Sequence, residues 1–371
     1  MFAPPSRYQL APSERQVLET VWRQGPIARV DIAKATGLTG ASVTRLTRDL
    51  EERGLIVDTV LRDGARGQPV RPVSVAREGA YAVGVNFSHS YIDIGIIDLV
   101  GELVCHERLP IERATAEIIV DVARQSMKRL AAKRKVPIER IVGAGFSVPG
   151  DFRDGVHLHA HAFFPDLGDI DFRRIAAEHM PVPVVVENDA ASAALGERVL
   201  GLGRGYGSFI LAHVGHGIGS GLILDGRLRR GVSGNAGMIG TFYPMDRPRP
   251  SGQDLFQTLW AQGIETRDFP DLDALDPELP VLAAWIERAG KQLADGLYVT
   301  ARVLDPDAIL LGGRLPPALL ARLFASTDLD AHFGREVGLP RPVFAQSSLG
   351  SYAGVIGAAA VCFFRAFFVD H

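Results

Sequence analysis

Apolar positions near the front of the chain recur three and four apart. Over residues 13–24, Val17, Leu18, Val21 and Trp22 form one helical stripe, with Ser13 placed as its N-cap and Gln16 three positions on. Gly25-Pro26 ends that helix. A short helix is predicted over residues 28–36 and a turn at Gly37-Leu38, followed by a longer helix that Thr39 caps, running to residue 53 with Gly54 as its stop. LIVDTVL (55–61) then reads as a strand, residues 62–67 as a turn, and residues 69–75 as a returning strand broken by Pro69 and Pro72. Three helices and a β-ribbon describe a winged helix-turn-helix over residues 1–78.

From Gly79 the pattern shifts to alternating strands and helices, the texture of an α/β domain that continues to residue 371. Residues 81–111 predict a three-stranded meander with turns near Ser88 and Gly101. Further strands are expected at 141–147, 182–187, 207–214, 219–224 and 308–311, with helices at 116–135 and 281–303. No repeat of fixed period interrupts the series.

The third helix carries the chemistry of the front domain. In TGASVTRLTRDLEERG, Val43, Leu46 and Leu50 face inward, which turns Thr39, Ser42, Thr44, Arg45 and Arg48 outward near the N-terminal end. A helix of this kind fits the major groove: Arg45 suits a guanine edge or a phosphate, and the hydroxyls suit contacts at the positive helix terminus. Acidic residues come later, at Asp49, Glu51 and Glu52. In the turn between the two strands, Arg62, Arg66 and Gln68 are placed to meet a phosphate or the minor groove. The charge balance agrees in sign, since residues 1–78 hold 12 Lys and Arg against 9 Asp and Glu in a chain of formal charge −3.

At 371 residues the chain is long enough for two or three domains with cores of their own. The two cysteines, Cys105 and Cys362, supply neither a disulfide framework nor a thiolate zinc site and are expected as buried free thiols. No leader pattern and no run of about 18 apolar residues is read, so a cytoplasmic location and no membrane contact are expected.

Four motifs then occur in order. They are GAGFSVPG (143–150), VENDAASAALGE (186–197), HVGHGIGSGLILDGRLRRGVSGNAGMIG (213–240) and LDPDAILLGG (304–313). Together with the helix-turn-helix ending in RGQPVRPV, they resemble the ROK family (repressors, open reading frames, kinases), in its repressor branch, over essentially the whole chain. The resemblance implies an actin-like, sugar-kinase-like, two-lobed α/β sensor and dimerisation domain over residues 79–371, with a lobe boundary near 190 and a C-terminal helix returning to the first lobe. It places the family's sugar-phosphorylating base on Asp189 and a sugar-hydroxyl contact on Asn188. Gly215, Gly217, Gly219 and Gly221 fall on a phosphate loop, where a missing side chain lets backbone N–H groups approach an anion. Gly237, Met238 and Thr241 complete the expected effector site.

This sequence departs from the family's pattern in three places. Its first phosphate loop, Asp-x-Gly-Gly-Thr, is here Asn86-Phe87-Ser88-His89-Ser90, which lacks the carboxylate for Mg²⁺ and both glycines. The sugar-gripping Glu of Gly-x-Ala-Gly-Glu-Ile-Gly-His is Met238, and its zinc-binding His is Thr241. The cysteine loop that follows is matched by residues 245–255, which hold no Cys or His, and the acidic sugar contact ending it falls at Leu255 or its neighbour Asp254. No zinc, ATP or Mg²⁺ is therefore expected, and no catalysis, with Asp189 reserved for capping the helix that starts at Ala190. His157, His159 and His161 alternate, so on a strand they would share a face; an interface is favoured over a metal. The expectation is a repressor of carbohydrate-related genes that binds a palindromic operator as a homodimer or homotetramer, controlled by a sugar or sugar derivative. An active sugar kinase carrying a DNA-binding domain, or a protein-binding scaffold, remains open at this point.

Overall fold

The computed structural model describes residues 3–59, 71–159, 164–334 and 338–368. The front domain consists of α1 (Pro12–Gln24), α2 (Arg29–Thr36), α3 (Gly40–Glu52) and a ribbon of β1 (Ile56–Asp58) paired antiparallel with β2 (Val73–Val75). Helix α1 starts one residue earlier than expected. Pro12 sits in its first turn, where a missing N–H costs nothing, and Glu14 accepts from the Ala11 N–H at 2.7 Å, so Ser13 is not the cap. Gln16 instead donates to the Thr36 carbonyl at 3.1 Å and ties α1 to the end of α2. Val17, Leu18, Val21, Ile32, Val43, Leu46 and Leu50 close the small core. Arg62, Arg66, Gln68 and His161 lie outside the described residues.

The second domain is built on two five-stranded sheets. In the first, β3 (Tyr81–Phe87), β4 (Tyr91–Asp98) and β5 (Leu103–Pro110) form the expected meander. Helix α4 (Ala116–Arg134) leads to β6 (Ile141–Val148), which lies parallel to β3. A small sheet of β7 (Asp151–Phe152), β8 (Leu158–His159) and β9 (Asp169–Ile170) and helix α5 (Phe172–His179) precede β10 (Val184–Asn188), giving the order β10-β6-β3-β4-β5. Helix α6 (Asp189–Val199) carries the chain into the second sheet, through β11 (Phe209–Val214), β12 (Ile218–Leu224) and β13 (Arg227–Leu228). Helices α7 (Gly252–Trp260) and α8 (Pro280–Leu304), strand β14 (Ala308–Gly313), helices α9 (Pro317–Ser326) and α10 (Asp330–Phe333) and strand β15 (Val343–Gln346) complete it, with the order β13-β12-β11-β14-β15.

Helix α11 (Ala353–Phe367) then returns across β3 and β6 and crosses α6. Close approach is possible because the contact points are glycines: a Cβ on Gly145 would stand 1.7 Å from the Ala358 carbonyl oxygen, and one on Gly357 1.5 Å from that of Ser192. Residues 350–367 have a mean hydropathy of 1.4, so one stretch is long and apolar enough to cross a membrane, contrary to the sequence expectation. Most of it is buried inside the protein, where its apolar surface meets the first sheet and α6.

The reading head is seated on this domain rather than tethered beside it. Trp22 packs on Phe364 and Phe368 and donates from Nε1 to the Leu99 carbonyl at 3.1 Å. Tyr8 meets Phe367 edge-on and donates to the Gly79 carbonyl at 2.9 Å. One continuous apolar cluster therefore joins the front domain, α6 and α11.

Candidate DNA-reading face and interlobe cleft

Helix α3 presents the outward set that its sequence predicts. Thr39 is its N-cap, with Oγ1 accepting from the Ser42 N–H at 3.2 Å, and Thr44 Oγ1 donates to the Gly40 carbonyl. Thr39, Thr44, Arg45 and Arg48 are exposed and Ser42 is half-buried. Among the described residues Arg45 is held only by Asp49 at 3.1 Å and Arg48 by Glu52 at 3.8 Å, pairs one helical turn apart that a phosphate can displace. Sequence reasoning missed Thr47, which is fully buried and accepts from Arg29 Nε at 3.0 Å; Arg29 also pairs with Asp58, fixing α2, α3 and the ribbon together. Removing the cap, as in Thr39→Ala, is expected to lower thermal stability by about 1 kcal/mol, measured by chemical denaturation of the full chain.

Between the two sheets opens a cleft of about 420 Å³. Asn188, Asp189, Gly215, Gly217, Gly219, Gly237, Met238 and Thr241 all line it. Gly221 does not. A Cβ there would stand 2.4 Å from that of Ala194, so its role is to let β12 pack on α6. The capping arrangement also differs in detail: Asn188 is the N-cap, its Oδ1 accepting from the N–H groups of Ala190 and Ala191 at 2.9 and 3.2 Å, and Asp189 is the first residue of α6. Asp189 spends one oxygen on the Ala190 N–H at 2.8 Å. Gly237 has φ +90°, and a Cβ would meet the Ser220 carbonyl oxygen at 2.1 Å, which explains the glycine without invoking a ligand.

Two histidines stand in unusual surroundings, His213 in the cleft wall and His89 in the first-loop stretch. Both ring nitrogens of His213 are buried without a hydrogen-bond partner. Burial pushes its pKa down to about 4, the carboxylate of Asp189 only partly offsetting this. His89, stacked on Phe164 with ring centroids 4.2 Å apart, is pushed to about 4 by the same cause, reinforced by His216. Both imidazoles are neutral in the folded protein across pH 4–6.5, while in the unfolded chain they take up protons below about 6.5. Stability is therefore expected to fall as pH drops through that window, by on the order of 1 kcal/mol per pH unit and per histidine; melting temperatures from pH 7 to 4.5 check it.

The first-loop residues meet protein groups on every side. Asn86 is buried, and its Oδ1 accepts from Arg314 Nη2 at 2.8 Å. The same guanidinium donates to the Phe87 carbonyl and, at 3.2 Å, to Tyr91 Oη. Asp268, from the second lobe, reaches across the cleft floor: Oδ1 accepts from Ser88 Oγ at 2.8 Å, and Oδ2 from the Ser90 N–H and Oγ at 3.0 and 2.9 Å. Since Ser88 donates to Asp268, the His216 Nε2 that lies 2.8 Å from Ser88 Oγ is left as its donor. Burial would raise the Asp268 pKa, but His216 beside it, the Ser88 hydroxyl and the Phe269 N–H outweigh that and hold the carboxyl well below the usual range. Neither Arg314 nor Asp268 carries a motif signal, and only the fold reveals them.

Three expectations change at the rim. Leu255 is fully buried, and Asp254 turns away from the cleft to accept from Trp285 Nε1 at 2.8 Å and from Arg288, so neither is a cleft contact. His157 lies in the bend before β8, not on it, and pairs with Asp154, whereas His159 meets Arg153. These two histidines do not share a site. Cys105 and Cys362 are both buried free thiols.

Residues 82–253 match the ROK family and residues 10–58 the MarR family. The protein named y4fQ of Sinorhizobium fredii is 39% identical over 368 residues, covering 97% of this chain and 93% of its own. The xylose repressor of Bacillus spizizenii is 27% identical over 232 residues, which span 62% of this chain and 59% of that protein. Among solved structures, a ROK family transcriptional regulator described as a homologue of the Escherichia coli Mlc protein superposes with a TM-score of 0.73 at 21% identity over 96% of both chains. A ROK hexokinase from Thermus thermophilus superposes with a TM-score of 0.59 at 25% identity, over 77% of this chain and 98% of the hexokinase. The chain thus belongs to the ROK family, with a helix-turn-helix head of MarR type joined to the front of the family's two-lobed domain.

Proposed function

We propose that this protein is a transcriptional repressor of carbohydrate-related genes that binds a palindromic operator in double-stranded DNA as a homodimer or homotetramer. A small effector, a sugar or sugar derivative in the interlobe cleft, alters that affinity. The observation that carries the reading is the exposed face of α3: a capped helix with an apolar underside offers Thr39, Ser42, Thr44, Arg45 and Arg48 together, within a segment that matches the MarR family. Arg62, Arg66 and Gln68 are proposed as further DNA contacts from the sequence alone, since they lie outside the described residues. The names of relatives agree, since the matched proteins include a xylose repressor and an N-acetylglucosamine repressor. The site of action is the cytoplasm.

Within this reading Asn188, Asp189, Gly237, Met238, Thr241 and His213 contact the effector, and the half-exposed Met238 favours a ligand less polar than a hexose. Control requires the effector to bind the DNA-competent and incompetent arrangements with different affinity. No phosphoryl transfer is assigned. A nucleotide's phosphates at the first loop would have to displace the Asp268 carboxylate, and Asn86 gives its oxygen to Arg314. Nor is a structural zinc assigned, because the 245–255 loop is held by Asp254, Trp285 and Arg288 and contributes no imidazole or thiolate.

The test is a gel-shift series with fragments of the gene's own upstream region, followed by a thermal-shift screen of sugars and sugar derivatives. A specific shift relieved or strengthened by a ligand that also raises the melting temperature supports the reading. The kinase alternative rests on the retained Asp189 and makes a separate demand: ATP turnover with a hexose. Turnover is expected to be absent, and turnover that disappears in Asp189→Asn would overturn the assignment.

A further inference from the structure

At the seam between the reading head and the sensor domain lies a second hollow, of about 280 Å³, floored by Trp22, Ser74 and Val100. Three guanidiniums enter it: Arg23 from the last turn of α1, Arg198 from the last turn of α6, and Arg204 from the turn that follows. Arg23 and Arg198 converge over Gly226, where an added Cβ would stand 3.1 Å from Arg23 Nη1 and 3.4 Å from Arg198 Nη2. Their counter-charges do not balance. Glu19 pairs with Arg23 at 2.6 Å, and Glu102, which also lines the hollow, is engaged by Arg77. Asp225 pairs with Arg229. Arg198 donates to the Arg204 carbonyl at 3.5 Å and shares the field of Glu19 with Arg23, so Glu19 acts on two of the three guanidiniums.

Three guanidiniums with Glu19 shared between two of them repel one another, more so where water is thinned. Burial pushes the Arg198 pKa down from its ordinary value, Arg23 and Arg204 push it further the same way, and Glu19 only partly opposes them. An oxyanion removes this repulsion, and the planar forks of arginine match phosphate oxygens in pairs.

We infer that this hollow is a binding site for a compact polyvalent oxyanion, a small phosphorylated metabolite, separate from the interlobe cleft. Because Arg23 belongs to the reading head and Arg198 and Arg204 to the sensor domain, the anion clasps the two together and fixes the angle at which α3 is presented. That consequence for DNA rests on the function proposed above; the site itself does not.

Inorganic pyrophosphate is a suitable probe, titrated against the DNA-free full chain at constant ionic strength with sodium chloride as control. The wild type is expected to gain melting temperature in a saturable manner, and each of Arg204→Gln and Arg198→Gln to weaken the apparent dissociation constant roughly tenfold. Arg204 is exposed, so its variant folds regardless of any packing role of Arg198. No saturable shift in the wild type, or an equal shift in both variants, overturns the site. So does a chloride response of the same size, which would show ionic screening only. If both variants instead lose DNA affinity in pyrophosphate-free buffer and the salt dependence of binding falls, the arginines contact the DNA backbone and the inference fails, while the repressor reading survives.

Discussion

Arg45→Ala is expected to weaken binding to the operator by about 10- to 100-fold, the discrimination that one well-placed base contact supplies, while leaving the melting temperature of the protein unchanged. The two readouts separate because of where Arg45 sits. Its side chain is 62% exposed and pairs with Asp49 on the next turn, a pair worth little to stability in water. Its value lies in what it meets outside the protein. Arg48, equally exposed and one turn further along, is placed for the backbone: Arg48→Ala is expected to weaken specific and scrambled duplexes alike and to lower the salt slope by about one. Fluorescence anisotropy with operator and scrambled duplexes at several salt concentrations distinguishes the two. An Arg45→Ala protein that binds the operator as tightly as the wild type would sink the assignment of α3 as the reading helix.

That helix was legible in the sequence because everything specifying it is local. A threonine cap, apolar residues at Val43, Leu46 and Leu50, and a glycine stop lie within sixteen residues, and each acts on its own neighbours. The cleft was legible for a related reason: Asn188 and Gly237 sit in short motifs where a helix cap and a positive-φ turn call for those residue types. What escaped is non-local. Asp268 lies far along the chain from the Ser88–Ser90 loop it holds, in a stretch with no motif of its own, and only the folding of one lobe over the other brings them within 3 Å. The same holds for Arg314 on Asn86, for Trp22 under Phe364 and Phe368, and for Glu197. Glu197 ends a recognisable motif, yet it turned out to be a buried acceptor for Ser347 Oγ at 2.5 Å and for the N–H groups of Ser348 and Leu349. Even at the glycines, sequence could not separate cleft from packing. Gly219 and Gly221 look alike in the motif, but only the first lines the cleft; the second serves α6.

The other large effect is expected at Asp268. Replacing it by alanine strands the hydroxyls of Ser88 and Ser90, the Ser90 N–H and the His216 ring in a region water barely reaches, and a loss of about 3–5 kcal/mol in stability is expected. Asp268→Asn keeps one acceptor oxygen and should lose less. The dependence on pH follows from the depressed carboxyl pKa. In the unfolded chain this group titrates near 4 and in the folded protein well below it, so its contribution is complete above about pH 4 and drains away as pH falls toward the folded value. The Asp268→Ala protein should therefore lack that acid component while retaining the loss between pH 6.5 and 4 that comes from His89 and His213. Hydrogen exchange localises the effect: the Ser90 amide, which donates to Asp268, should lose protection, whereas amides in the middle of β3 should not. If instead the variant is as stable as the wild type and Ser90 keeps its protection, the carboxylate is incidental. The first loop would then be free to receive a phosphate, and the case against nucleotide binding would lose its main support.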